Sequence, residues 1–276
     1  MRILIIGGQG MAGHMIKSYF THQQRFDVLD TVRSLSPSDS RSITLDVLDD
    51  ARLQALLNQI RPDVVINAVG LLNDEARTRQ AEAIYVNRLL PHQLAAYAES
   101  YNFRLFLIST DCVFSGSRGD YLESDPADAH SVYGKSKSLG EVSGPCTLTI
   151  RTSIIGPELK PDGIGLFHWF MRQKGDIQGY RQVFWNGVTT LELAKAIEWC
   201  LHHPLNGIIH LAGQPKVSKY ELLRLLQQQF DHHAVTIHEN DTVMSDKSLL
   251  STRSDFTYPV PSYKQMIFDL HAWMTK

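Results

Sequence analysis

The chain has 276 residues, 43% of them hydrophobic, enough for one large α/β domain or for one domain carrying a smaller lobe. A formal charge of -2 supplies no basic field for a nucleic acid backbone or an anionic membrane, so small molecules or proteins are the expected partners. Cys112, Cys146 and Cys200 lack CxxC or metal-ligand spacing, which argues against a disulfide framework and a zinc site and fits a reducing cytoplasm.

The opening "MRILIIGGQG" has an apolar run that stops at glycines before it reaches the length of a signal-peptide core, so it reads as a buried strand. No stretch approaches the roughly 20 apolar residues of a membrane span. Gly7, Gly10 and Gly13 then form GxxGxxG between this strand and the first helical stretch. A dinucleotide pyrophosphate meets backbone N–H groups and a positive helix end at such a place. The second strand ends "DTVRS": an acid here would bond a ribose 2′-hydroxyl, whereas Arg33 and Ser34 offer a charge and a hydroxyl to a 2′-phosphate. NADPH is therefore favoured, with NADH kept open by the nearby Asp30. After the third apolar run, Asp46 and Val47 are candidates for adenine contact, Asp46 being equally a candidate helix N-cap. "NAVG" puts the small residues Ala68, Val69 and Gly70 at the end of the next strand, where a cofactor would lie flat.

Residues 79 to 100 have apolar positions at helical spacing and predict a long crossover helix, with Pro91 as its one kink or boundary signal. The next strand runs into "LISTDCVFSG", which sets Ser109, Thr110 and Asp111 at the carboxyl end of the sheet. In "YGKSK", Tyr133 and Lys137 are four residues apart and share a helix face. An ammonium there favours tyrosinate and makes the phenol a usable general acid, with a Thr110 hydroxyl sharing the substrate oxygen. A YxxxK pair arises readily by chance, so its setting after "LISTDC" carries the argument.

The repeated strand-helix-strand order predicts a Rossmann-like, doubly wound parallel sheet of α/β class over residues 1–154. From 155 the sequence turns to glycine, proline and aromatic residues, then to helices at "TTLELAKAIEWCLHH" and "KYELLRLLQQQF" around a strand at "GIIHLAG", and a last helix at about 263 to 273. This predicts a smaller C-terminal substrate lobe, 155–276, partly interleaved with the sheet. The aromatics of "FHWF" (167 to 170) read as packing. The twelve histidines include no HExxH, and the adjacent pairs His202-His203 and His232-His233 diverge on a helix, so no metal site is expected.

With these residues in place, the chain resembles the extended short-chain dehydrogenase/reductase family and, within it, the dTDP-4-dehydrorhamnose reductase-like (RmlD-like) sugar-nucleotide reductases. The resemblance is carried by "GGQGMAGH", "RPDVVINAVG", "AIYVNRLLPHQLA", "STDCVFSG", "DYLESD", "VYGKSKSLGE", "RTSIIG", "NGVTTLELAKAI" and "SKYELL". It implies a catalytic set at Thr110, Tyr133 and Lys137, cofactor contacts that include Met11, Asn87 and Ser109, and substrate contacts at Asp111, Val113 and Phe114. The implied reaction is NAD(P)H-dependent reduction of the C4 carbonyl of a 4-keto-6-deoxysugar nucleotide, dTDP-linked or a UDP-N-acetylated analogue, for cell-surface polysaccharide such as O-antigen. A homodimer is also implied. The substrate diphosphate needs positive charge, for which Arg253 is the candidate, Arg181 reading better as a surface residue.

The sequence departs from the rhamnose enzyme's pattern at Cys112, where "STDYVF" has tyrosine, at Ile154, where an aromatic commonly follows "RTS", and at "GMAG" in place of "GQLG". A 4,6-dehydratase would carry Asp-Glu after the catalytic threonine, whereas Cys112 follows Asp111 here. A sugar-nucleotide epimerase, and a non-catalytic cofactor-binding subunit akin to the regulatory partners of methionine adenosyltransferase, are the alternatives to a reductase.

Overall fold

The computed structural model describes residues 1–34 and 41–275. Seven parallel strands form its main sheet: β1 (Arg2–Ile6), β2 (Asp27–Val32), β3 (Ser42–Thr44), β4 (Val64–Asn67), β5 (Arg104–Ile108), β6 (Thr147–Arg151) and β7 (Gly207–His210). Their order across the sheet is β7-β6-β5-β4-β1-β2-β3. In β1, Ile3 and Ile5 enter one apolar cluster and Leu4 and Ile6 enter the other. A strand buried on both faces is expected where helices cover both sides of a parallel sheet, and each of these side chains contributes about 1.5–3 kcal/mol by leaving water. The Rossmann-like sheet predicted from strand-helix alternation is thus present.

The helices set the active edge. Helix α1 (Met11–His22) leaves the glycine turn, and α2 (Asp50–Ile60) is capped by Asp49, whose side chain accepts from the Arg52 N–H at 3.0 Å. The expected crossover helix is present in two parts. A short helix Gln80–Ile84 passes through a π-helical turn, Tyr85–Leu89, into α3 (Leu90–Tyr101). Pro91 has no N–H to return to the carbonyl of Asn87 four residues earlier, and the wider turn absorbs that loss without a break. Gly140 packs into the turn: a Cβ there would stand 1.9 Å from the Asn87 carbonyl oxygen. Helix α4 (Val132–Ser138) follows, capped by the Ser131 hydroxyl accepting from the Gly134 N–H at 3.0 Å.

The C-terminal half both completes the sheet and stands over its edge. Strand β7 joins β6, and α5 (Thr190–His202) packs on α1. Helix α6 (Lys219–Gln229) lies beside a parallel pair, Gly175–Tyr180 with Val235–Asn240. The strand Val183–Trp185 pairs on one side with Val217–Ser218 and on the other with Ser245–Asp246. Helix α7 (Tyr263–Met274) closes against α5 and α6. Phe167 and Phe170 of "FHWF" are core residues. Among the described residues no helix is long and apolar enough to cross a membrane, and no group of three or more His, Cys, Asp or Glu is placed to hold a metal ion.

Candidate active site

A cleft of about 300 Å³ opens at the carboxyl ends of β1, β2 and β4, lined by Gly7, Gly10, Arg33, Val47, Val69 and Gly70 among others. It lies where the chain order reverses across the sheet, the place at which open α/β sheets take ligands. Gly7 has φ of +92°, and a Cβ on it would stand 2.7 Å from a Val69 methyl. At Gly13 a Cβ would stand 2.1 Å from the Gly7 carbonyl oxygen, so this glycine lets α1 press against the turn. Gly10 caps α1 with no side chain over the helix end, leaving first-turn N–H groups free for an anion. This donor set fits a dinucleotide pyrophosphate.

Beside the cleft, Thr110 ends the β5 segment and accepts from the Cys112 N–H at 3.1 Å, starting the short turn Asp111–Val113. Helix α4 sits directly on that turn. Its glycine explains how: a Cβ at Gly134 would stand 2.1 Å from the Cys112 carbonyl oxygen. This approach sets the Tyr133 phenol beside Thr110, close enough for the hydroxyl to act on it. Burial pushes the phenol above its ordinary range, and the neighbouring Cys112 adds to the effect, while the Thr110 hydroxyl opposes it. The expectation that Lys137 lowers the phenol is therefore corrected: burial dominates, and the charges that act on Tyr133 are those of Cys112 and Asp111, with no contribution from Lys137. Tyr133 is held protonated, the form a proton donor needs.

Lys137 is 8% exposed and donates to the Ile108 carbonyl at 2.6 Å. Burial pushes its ammonium down to about 8, with Glu141 opposing. Glu141 forms a buried bidentate pair with Arg151, at 2.8 Å and 2.7 Å, and accepts from the Ser109 hydroxyl at 2.6 Å. Arg151 continues to His210 at 3.2 Å. A charge pair this deep depends on all its partners being present, and it ties β5, β6 and β7 together beneath Lys137.

Several expected contacts lie elsewhere. Asn87 is fully buried, and its amide exchanges two bonds with the Leu71 backbone and donates to the Ser136 hydroxyl at 3.0 Å, so it braces α4 and both its N–H donors are used within the protein. Ser109 is likewise committed to Glu141. Asp46 is exposed and accepts from the Leu48 N–H at 3.0 Å, making a turn; the N-cap is Asp49, and Leu45 lines the cleft in its place. Asp30 points under Gly8 and pairs with Lys17 at 2.8 Å, and it is not among the residues that line the cleft.

On the substrate side, Val113 and Phe114 are fully buried, with Phe114 stacked on Tyr121 at 4.1 Å, so they pack and do not face a ligand. Arg253 binds Asp255 and the Asn206 carbonyl at the amino end of β7, the opposite edge of the sheet. Arg181 is exposed and bound to Glu239 and Asp241. Met11 begins α1 and faces Gly165 of the overlying segment. Asp111 remains at the site, accepting from Thr110 at 3.1 Å. Residues without a local sequence signal complete the surroundings: Lys160 at the cleft, and Lys219 and Lys247 opposite Asp111.

The family described as the RmlD substrate binding domain matches residues 1–249. The chain belongs to this family. It is 31% identical over 158 residues to a dTDP-4-dehydrorhamnose reductase of Aggregatibacter actinomycetemcomitans, a match that covers 55% of this chain and 51% of the relative, so it spans about half the length of that protein. Methionine adenosyltransferase 2 subunit beta of Xenopus laevis is 29% identical over 244 residues, 83% of this chain and 72% of that protein. In three dimensions, a dTDP-4-dehydrorhamnose reductase of Bacillus anthracis solved in complex with NADP superimposes with a TM-score of 0.83 at 19% identity, covering 99% of both chains. At that identity the likeness concerns the fold.

Proposed function

We propose that the protein is an NADPH-dependent sugar-nucleotide 4-ketoreductase, acting in the cytoplasm on a nucleotide-linked 4-keto-6-deoxysugar, with dTDP-4-dehydrorhamnose or a UDP-N-acetylated analogue as substrate. One observation carries the reading: the Thr110 and Tyr133 hydroxyls and the Lys137 ammonium converge beside a glycine-lined cleft whose rim holds Arg33 and Ser34. Residues 1–154 hold the cofactor and 155–276, partly interleaved with them, cover the sugar. The NADP-bound structure with the same fold and the reductase names among the relatives support it.

Bound in the cleft, the reduced nicotinamide supplies the hydride that turns the C4 carbonyl into an alcohol. Tyr133 gives its phenolic proton to the carbonyl oxygen, and the Thr110 hydroxyl hydrogen-bonds the same oxygen. Lys137 spends one of its three N–H groups on Ile108 and keeps two for ribose hydroxyls. Arg33 and Ser34 meet the 2′-phosphate.

The test is loss of NADPH absorbance with a panel of freshly generated dTDP- and UDP-linked 4-ketosugars. Turnover that falls at least 100-fold in Tyr133→Phe and in Thr110→Val, with NADPH still bound, is the expected result. A Thr110→Val rate within a few-fold of native removes that hydroxyl from the mechanism. A second reading has one observation behind it: the stretch shared with the methionine adenosyltransferase subunit covers more of this chain than the stretch shared with the Aggregatibacter reductase. Silence on the whole panel, together with co-purification of a partner enzyme, favours that regulatory role.

A further inference from the structure

With Arg253 and Arg181 bound to carboxylates away from the site, the positive charge that a nucleotide diphosphate requires has another source. Among the described residues, Lys219 and Lys247 form no ion pair with a carboxylate, whereas Lys195 binds Asp269 and Lys216 binds both Asp120 and Asp246. Lys135, Lys160, Lys174 and Lys264 also lack such partners, but they are exposed to water, where an unpaired ammonium costs nothing, and the buried Lys137 is held by the Ile108 carbonyl. Lys219 and Lys247 are tucked against protein.

Lys219 opens α6, 5.6 Å above the ring of Trp185. Lys247 follows the strand Ser245–Asp246, with Nζ 3.7 Å from the Cys112 sulfur. Both charges act on Asp111, the residue after Thr110. Ser218 and Asp246 pair with Phe184 from its two sides, so the residues that follow them, Lys219 and Lys247, are brought into one neighbourhood, which Lys247 joins to the turn after Thr110 through Cys112. Burial pushes Lys219 below its ordinary range, with Asp111 and Cys112 opposing. A desolvated cation is retained where something pairs with it, and one carboxylate, itself raised by burial, faces two lysines here.

We propose that Lys219 and Lys247 form the anion subsite of the substrate pocket and bind the diphosphate of the nucleotide sugar. This rests on the reductase reading for the identity of the substrate. Anchored at its diphosphate, the sugar turns its far side to Tyr133 and Thr110, since the anomeric oxygen and C4 lie across the ring from each other. The Trp185 face fixes the Lys219 stem and holds its charge in place.

The test uses the full chain saturated with NADPH and follows binding of dTDP and UDP by calorimetry, with thymidine and uridine as uncharged probes, in the native protein and in Lys219→Met and Lys247→Met. Methionine keeps the stem and removes the charge. The expected result is a 10- to 100-fold loss of nucleoside diphosphate affinity in each variant, unchanged nucleoside and NADPH binding, and recovery in Lys219→Arg. Unchanged diphosphate affinity in both variants, or no diphosphate binding by the native protein, overturns the proposal. The ketosugar panel separates the two ideas. Turnover insensitive to both lysines leaves the reductase standing without this subsite, and lysine-dependent diphosphate binding without any turnover leaves the subsite standing without the reductase.

Discussion

The Lys137 ammonium stands 2.6 Å from the carbonyl oxygen of Ile108, so the lysine is fixed by the strand beneath it before any ligand arrives. Its charge is sustained by Glu141 against burial, and its ordinary value is pushed down to about 8. A group whose pKa is lowered loses its proton earlier as pH rises. The ketosugar kcat/KM is therefore expected to fall above about pH 8. Glu141→Gln removes the charge that raises Lys137, so the descending limb should move to lower pH. A pH-rate profile checks this, and an unmoved limb assigns it to another group.

Arg33 and Ser34 stand on the rim of the cleft, both exposed. A charge-assisted contact to a 2′-phosphate is worth about 1.5–3 kcal/mol. Arg33→Ala should raise the KM for NADPH by about 10- to 100-fold and leave that for NADH nearly unchanged. Equal effects on both cofactors would remove Arg33 from phosphate recognition.

Gly134 separates α4 from the Cys112 carbonyl, where a Cβ would stand at 2.1 Å, with the Ala129 methyl at 2.6 Å. Backbone cannot yield as a flexible side chain does. Gly134→Ala should lift α4 and part Tyr133 from Thr110, lowering kcat by at least 10-fold and costing about 1–3 kcal/mol of stability. Denaturant titration and steady-state kinetics on the same sample measure both.

Asn87 ties α4 to the Leu71 segment through one hydrogen bond to Ser136 and two to the Leu71 backbone. Asn87→Ala leaves the buried Leu71 N–H and carbonyl without these partners, at about 1–3 kcal/mol for each group left unsatisfied. The thermal midpoint should fall by several degrees, with NADPH affinity reduced only through the loosened site. A variant as stable as the native chain would contradict the bracing role.

Much of this was legible one residue at a time. The four apolar residues of β1, the glycines at 7, 10 and 13, and the i to i+4 pair Tyr133 and Lys137 are local patterns, because strand alternation, helix periodicity and tight turns are set by neighbours within a few residues. The π-helical turn before Pro91 was half legible: proline announced an interruption, but the form it took depends on Gly140 packing against the Asn87 carbonyl from another part of the chain.

Which polar residues face a ligand was decided by tertiary structure alone. Ser109, Asn87 and Arg253 carry the right chemistry at plausible positions, yet Glu141, Leu71 with Ser136, and Asp255 engage them first. Lys219 and Lys247 carry no local mark and reach Asp111 only because the C-terminal half folds back over the sheet edge. Sequence by itself determined the sheet, the glycine turn and the tyrosine-lysine pair, since short-range sterics and periodicity encode them. Folding decided which charges are already satisfied and which remain open to bind, because that depends on partners dozens of residues away and on the water that burial removes.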